Sequence, residues 1–341
     1  MQSTTVFMYV SFQDDDLISV FAMEPATGVI RRLFDLDVPG GPAPMTLSPD
    51  RRTLHVGRRG QKALTSFRVD PRSGELAERS TVPLDGEPVY VAMDRAGRFV
   101  LSAYYYQSVV GVHGVDGDGG VLAPPVAWRT TAHGAHAILT DRSNRFAFVP
   151  HIANRGPNAI FQFHFDPTTG QLRANDPPRV SPSEYLGPRA LVFHPALDVV
   201  YFSDEQAGSV SAYEIAAAGT LTPLQRVSTL PEGYNEPNTC SQIQMTPDGR
   251  FLYAPKRGHN SVASFRVDAA DGRLTPTGRA STEPVPRAFN VDPDGRFVYA
   301  AGLDSGRIAS YQIQPADGSL VPLETYEGGR RPMWVLLTRL G

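Results

Sequence analysis

Six residues of this 341-residue chain combine positive, negative and protonatable groups at matching positions of an internal repeat: His136, Arg189 and Arg287 in one set, Arg59, Glu205 and Arg257 in another. A guanidinium offers a planar fork of donors that pairs a carboxylate or phosphate through two hydrogen bonds. An imidazole titrates near neutrality, and a carboxylate can accept a proton from a positioned water. Together they could hold an anion and exchange protons beside it. Any one alone would read as a solvated surface group; shared register sets the six apart.

The register is counted from the last turn residue of each hairpin: Arg52, Arg98, Arg145, Asp198, Arg250 and Arg296. Nine residues back lie Ala43, Val89, His136, Arg189, Ser241 and Arg287, with Met333 as a seventh after its proline. Seven residues forward lie Arg59, Tyr105, Ile152, Glu205, Arg257 and Leu303. A tight hairpin sets the start of its first strand beside the end of its second, about 5 Å away, so both sets share one end of the molecule. The count falls on Arg59, but Arg58 is adjacent and only one of the two faces inward, which leaves open which of them reaches the channel. Tyr104, Tyr105 and Tyr106 close a strand and are expected to pack in the core and at the rim.

The elements that carry these residues follow from two repeats in phase. One is a turn closing on glycine, as in DPRSG at Asp70–Gly74, DGDGG at Asp116–Gly120 and DPTTG at Asp166–Gly170; the seven closing glycines are 46 to 53 residues apart. Such a period marks stacked units that cannot bury a face alone. The other is an alternating apolar run that turns at Pro-Asp-Gly-type residues and restarts, as in IQMTPDGRFLYA and FNVDPDGRFVYA, which is a β-hairpin with the chemistry for its turn. With the runs on either side of each glycine, every unit holds four antiparallel strands, a propeller blade. Six hairpins are complete. The C-terminal run Met333–Thr338 and the N-terminal run Thr5–Val10 supply the two missing strands of a seventh blade. The expectation is an all-β, seven-bladed β-propeller, one domain over 1–341, its ring closed by both termini so that no sheet edge stays open.

Composition fits that fold and narrows the function. Gly 31 and Pro 30 suit a chain rich in turns, and no apolar run approaches the roughly 18 residues of a membrane helix. The net charge of −3, without basic runs, gives no nucleic-acid footprint. MQSTTVFMYV lacks a basic n-region and a cleavage site, and the lone Cys240 cannot form an internal disulfide, so a cytoplasmic protein is expected. His133, His136 and His151 come without a Cys pair or an HExxH motif and are expected to be hydrogen-bonded loop histidines, with no metal and no cofactor. No GxSxG, P-loop or dinucleotide fingerprint occurs.

On GAHAILTDRSNRFAFVP around His136, GPRALVFHP at Arg189, YFSDEQAGSV at Glu205, TPDGRFLYAPKRG at Arg257, PRAFNVDPDGRFVYAAG at Arg287 and the closing PMWV, the chain resembles the propeller-type 6-phosphogluconolactonases and the wider lactonase family that includes carboxymuconate lactonising enzymes. The resemblance runs through nearly the whole chain. It implies that His136, Glu205 and Arg257 are catalytic, with His136 or Glu205 moving the proton and Arg257 stabilising the oxyanion. It places Arg189 in the same set, and Arg189, Arg287 and Arg59 would hold the anionic tail of a small lactone. Where the family usually has Asn before the Glu and before the Arg, this chain has Asp204 and Lys256, and it has AHGAH where many relatives have PHPH. The implied reaction is hydrolysis of 6-phosphogluconolactone in the pentose phosphate pathway. Alternatives are another anionic lactone, such as a sulfo-sugar lactone or a carboxylated muconolactone, or a non-catalytic propeller that binds an anion or a protein. A monomer is expected, with a weak dimer as the alternative.

Overall fold

The computed structural model describes residues 5–340. Its strands form seven antiparallel sheets, each built outward from the centre. Blade 1 comprises Pro42–Leu47, Thr53–Arg58, Ala63–Val69 and Leu76–Pro83; blade 2 comprises Tyr90–Met93, Phe99–Tyr104, Val109–Gly114 and Ala127–Thr130. Blade 3 comprises Leu139–Thr140, Phe146–His151, Ala159–Phe165 and Leu172–Val180; blade 4 comprises Pro188–Phe193, Val199–Asp204, Ser209–Ile215 and Leu221–Ser228. In blade 5 the innermost strand is broken into Thr239–Cys240 and Gln244–Met245, both paired to Phe251–Arg257, followed by Ser261–Val267 and Leu274–Ser281. Blade 6 comprises Pro286–Val291, Phe297–Gly302, Ile308–Ile313 and Leu320–Tyr326.

The closing blade is made from both ends of the chain. Val6–Phe12 pairs on one side with Leu17–Met23, which carries Ile30–Asp37, and on the other with Pro332–Arg339, in the register Val6↔Arg339 and Val10↔Val335. The N-terminal strand thus begins one residue later than expected and runs to Phe12. The ring closes as the two orphan runs required.

Apolar residues in these strands are buried on both faces, because the core lies between blades. Along Val6–Phe12, Val6, Met8 and Val10 pack with Phe297, Tyr299 and Ala301 of blade 6, whereas Phe7 and Tyr9 pack with Met45, Leu54 and Val56 of blade 1. Successive side chains point to opposite faces, so one strand serves two neighbours.

The repeated glycines work at the same seams. Gly28, Gly74, Gly170, Gly219, Gly272 and Gly318 all have φ between 73° and 77°, in the left-handed region that glycine enters without steric cost. A Cβ on Gly318 would stand 2.3 Å from the Phe251 ring, and one on Gly74 2.5 Å from the Phe7 ring. The tyrosine two residues after such a phenylalanine donates to the glycine carbonyl: Tyr9 to Gly74 at 3.0 Å, Tyr253 to Gly318 at 2.9 Å and Tyr299 to Gly28 at 2.5 Å. Blade 2 departs from the pattern. There the left-handed residue is Gly119, with φ 85°, and not the closing Gly120.

Among the described residues, no helix is long and apolar enough to cross a membrane.

Candidate active site

At one end of the ring's centre a pocket takes residues from all seven blades. Its walls include Ala43 and Arg59 of blade 1, Val89 and Tyr90 of blade 2, His136 of blade 3, Arg189 of blade 4, Gln242 of blade 5, Arg287 of blade 6, and Met333 and Trp334 of the closing blade. Six of the seven residues counted back from the hairpin turns therefore meet here. The exception is Ser241. The break in its strand puts Gln242 on the wall, while the Ser241 hydroxyl donates to the Pro286 carbonyl at 2.7 Å.

Local backbone explains how two arginines reach the pocket. Arg189 and Arg287 sit in the same tripeptide, Pro-Arg-Ala, and in both places the ladder slips between the proline and the alanine. Such a bulge leaves one residue unpaired and turns its side chain out of the regular alternation. His136 precedes the short strand Leu139–Thr140 and is held by its own N–H, which donates to the Pro150 carbonyl at 3.0 Å. Arg257 ends the second strand of blade 5 and Glu205 directly follows that of blade 4, where the Glu205 N–H donates to the Gly187 carbonyl at 2.7 Å and ties the strand end to the start of its own blade.

Glu205 is the anionic centre of the cluster. Its Oε2 lies 2.8 Å from Arg189 Nε and 3.1 Å from Arg257 Nη2. Arg189 is almost wholly buried and also donates to the Ser241 carbonyl at 2.6 Å; Arg257 donates to the Cys240 carbonyl at 2.6 Å. Arg59 lies 3.1 Å from Glu87 at the rim, with its Nε buried and unpartnered. Among the described residues, Arg287 makes no ion pair and no side-chain hydrogen bond.

The crowding shows in the titration of the groups. Burial, then the charges of Arg189, Arg287 and Arg257, hold the His136 imidazole well below its ordinary value, so it is neutral near pH 7, and its Nδ1 is buried without a partner. Burial and the neighbouring Arg257 push Arg189 down to about 10 despite its bond to Glu205. Burial and the charges of Arg189, Arg257 and Arg59 push Arg287 well down. The pocket thus holds more positive charge than its own carboxylates balance. An anion placed there would relieve that repulsion.

A model of the seven-bladed β-propeller lactonases matches residues 5–337. The chain belongs to that family. It is 33% identical over 334 residues to the 6-phosphogluconolactonase of Pectobacterium carotovorum, with 98% of each chain covered, and 33% identical over 313 residues to that of Erwinia tasmaniensis, covering 92% of this chain and 93% of the relative. A solved periplasmic gluconolactonase of Pseudomonas aeruginosa superposes with a TM-score of 0.89 at 27% identity, over 99% of this chain and all of that one.

In this lactonase the six residues gathered by counting do lie in one region, and Arg59, not Arg58, lines the pocket. Arg58 is turned into the blade, where Nε donates to the Pro39 carbonyl at 2.7 Å and Nη1 to Thr65 Oγ1 at 3.3 Å. Of the tyrosine run, Tyr104 is fully buried and Tyr106 exposed, but Tyr105 belongs to the site: its ring is 6.2 Å from that of His136, and Glu205 helps to raise its hydroxyl pKa after burial does. His151 is hydrogen-bonded, with Nδ1 3.0 Å from the Val149 carbonyl and Nε2 3.0 Å from Thr131 Oγ1, but it ends the strand Phe146–His151 and does not lie in a loop as expected; His133 stacks edge-on against Tyr105. Tyr90 and Trp334, in edge-to-face contact at 5.4 Å between centroids, were not anticipated as pocket residues. Their only sequence signal is position, one residue after Val89 and Met333. Among the described residues no three His, Cys, Asp or Glu lie close enough to share a metal.

Proposed function

We propose that this lactonase hydrolyses 6-phosphogluconolactone to 6-phosphogluconate; the 6-phosphogluconolactonases to which it is similar support the reading. The observation that carries the reading is the set of guanidiniums from different blades around one carboxylate and one neutral imidazole. Water attacks the lactone carbonyl carbon, His136 or Glu205 takes the proton released, and Arg257 stabilises the negative charge that develops on the carbonyl oxygen. The ring C–O bond then breaks, and the leaving alkoxide takes up a proton to give the hydroxy acid. Arg287, with no protein anion bound, and Arg59 receive the phosphate. Arg189 braces Glu205 and adds positive field to the same wall. These side chains supply the stabilising charge themselves, so no metal is invoked.

A panel of phosphorylated, sulfonated, carboxylated and uncharged lactones tests this reading. The phosphorylated lactone is expected to give the highest kcat/KM. Arg287→Ala should raise KM for it by on the order of tenfold while barely changing the uncharged gluconolactone, since a lost tail contact removes binding shared by ground and transition states. An equal effect on both would remove the clamp role, and preference for another anion would reassign the substrate. No turnover of any lactone would favour a binding propeller.

The same proposal takes residues 1–341 as one domain acting as a monomer in the cytoplasm, without nucleic acid or membrane. For the location, the support is Cys240, the chain's single cysteine, which has no second cysteine to pair with and suits a reducing compartment.

A further inference from the structure

Beneath Glu205 and Arg257 lies a second pair of opposite charges that the reaction does not use. Asp204 and Lys256 are the preceding residues on the same two strands, in neighbouring blades, and both are completely buried. Strand alternation explains the split: at each strand end one side chain turns towards Arg189 behind the pocket wall, Glu205 at 2.8 Å from it and Arg257 at 3.1 Å from Glu205, and the other turns into the seam between blades. Asp204 Oδ2 accepts hydrogen bonds from Ser209 Oγ at 2.6 Å and Ser211 Oγ at 2.5 Å, while Oδ1 is buried without a partner. Lys256 Nζ contacts Cys240 Sγ, which lies 3.6 Å from the carbonyl of Ser209, so the two charges are joined across the seam through Ser209 and Cys240 and not by a direct ion pair. The backbone of Cys240 reaches both site residues: its N–H donates to the Glu205 carbonyl at 3.3 Å and its carbonyl accepts from Arg257 at 2.6 Å.

We infer that Asp204 and Lys256 are positioning residues, a buried charge couple that locks blade 4 to blade 5 and so sets the Glu205–Arg257 pair. The inference rests on the lactonase reading for its catalytic readout. A buried charge without compensation is far more costly than a compensated couple. Burial raises the Asp204 carboxyl to about 6, opposed by the two serine hydroxyls and then by Lys256; burial lowers Lys256, opposed by Cys240 and by Asp204. Each charge therefore helps the other stay ionised.

A double-mutant cycle of Asp204→Asn, Lys256→Asn and the pair of changes together tests this, with kcat, KM and the thermal midpoint measured for each protein. Each single variant is expected to lose about tenfold in kcat at nearly constant KM and to melt earlier; the double variant should recover to within about threefold in kcat and regain most of the midpoint. Single variants that match the wild type, or losses that multiply in the double variant, would overturn the couple. If a single variant does not accumulate, the double variant decides: folded with kcat near the wild type supports the couple, folded with kcat more than tenfold down overturns it. The melting arm needs no substrate, so failure of the lactonase reading and failure of the couple are told apart.

Discussion

Glu205→Gln and His136→Ala are each expected to lower kcat for the lactone by on the order of 100-fold, with little change in KM. For Glu205 the loss has two sources. The amide is a far weaker proton acceptor, and it cannot neutralise Arg189 and Arg257, which share its Oε2 at 2.8 and 3.1 Å. For His136 the change removes an imidazole that is neutral near pH 7 and so free to accept a proton. The direction of its shift fixes the pH behaviour. Because the folded imidazole titrates well below 6.5, it remains a free base as pH falls through 6.5, and kcat/KM should show no loss attributable to it until more acidic pH. Steady-state kinetics corrected for spontaneous hydrolysis checks both points. Wild-type turnover in both variants would remove the catalytic assignment.

Deleting residues 331–341 should open the ring and abolish the cooperative unfolding transition. The deletion removes the strand Pro332–Arg339, which is paired to Val6–Phe12 along its length. It also removes Val335 and Leu337 from the seam with blade 6, and Leu336 and Leu340 from the seam with blade 1. Val6–Phe12 would become a long apolar edge, which is a template for aggregation. Met333 and Trp334 would leave the pocket, so lactone turnover should vanish as well. Calorimetry checks this, and a truncated protein that melts like the full chain would contradict closure by the terminal strands.

Much of this was legible because the repeat is a measuring device. Once hairpin turns are aligned, a fixed offset finds the pocket and falls on Arg59, but neighbouring sequence treats Arg58 and Arg59 alike and leaves the choice between them open. What decided the fate of Arg58 is distant: the Pro39 carbonyl and Thr65 hydroxyl that take its guanidinium. The offset failed at Ser241 because the inner strand of blade 5 is interrupted, and an interruption shifts which side chain faces the centre. Gly119 in place of Gly120 shows the same limit, since DGDGG offers several glycines and only the backbone chooses among them. The run Tyr104, Tyr105 and Tyr106 reads as core and rim packing because aromatics at a strand end have that ordinary use, and the closeness of Tyr105 to His136 is visible only once the two blades are assembled. The Asp204–Lys256 relationship crosses a blade seam 52 residues apart in sequence and becomes visible only when the seam is assembled.

The most direct measurement is acid release in a pH-stat from freshly made 6-phosphogluconolactone, with EDTA present, comparing the wild-type protein with Glu205→Gln and with buffer alone. The wild type is expected to release acid far above the spontaneous rate, and Glu205→Gln to fall back close to it. A wild-type trace no faster than buffer would contradict the assignment of this pocket as a lactone-hydrolysing site.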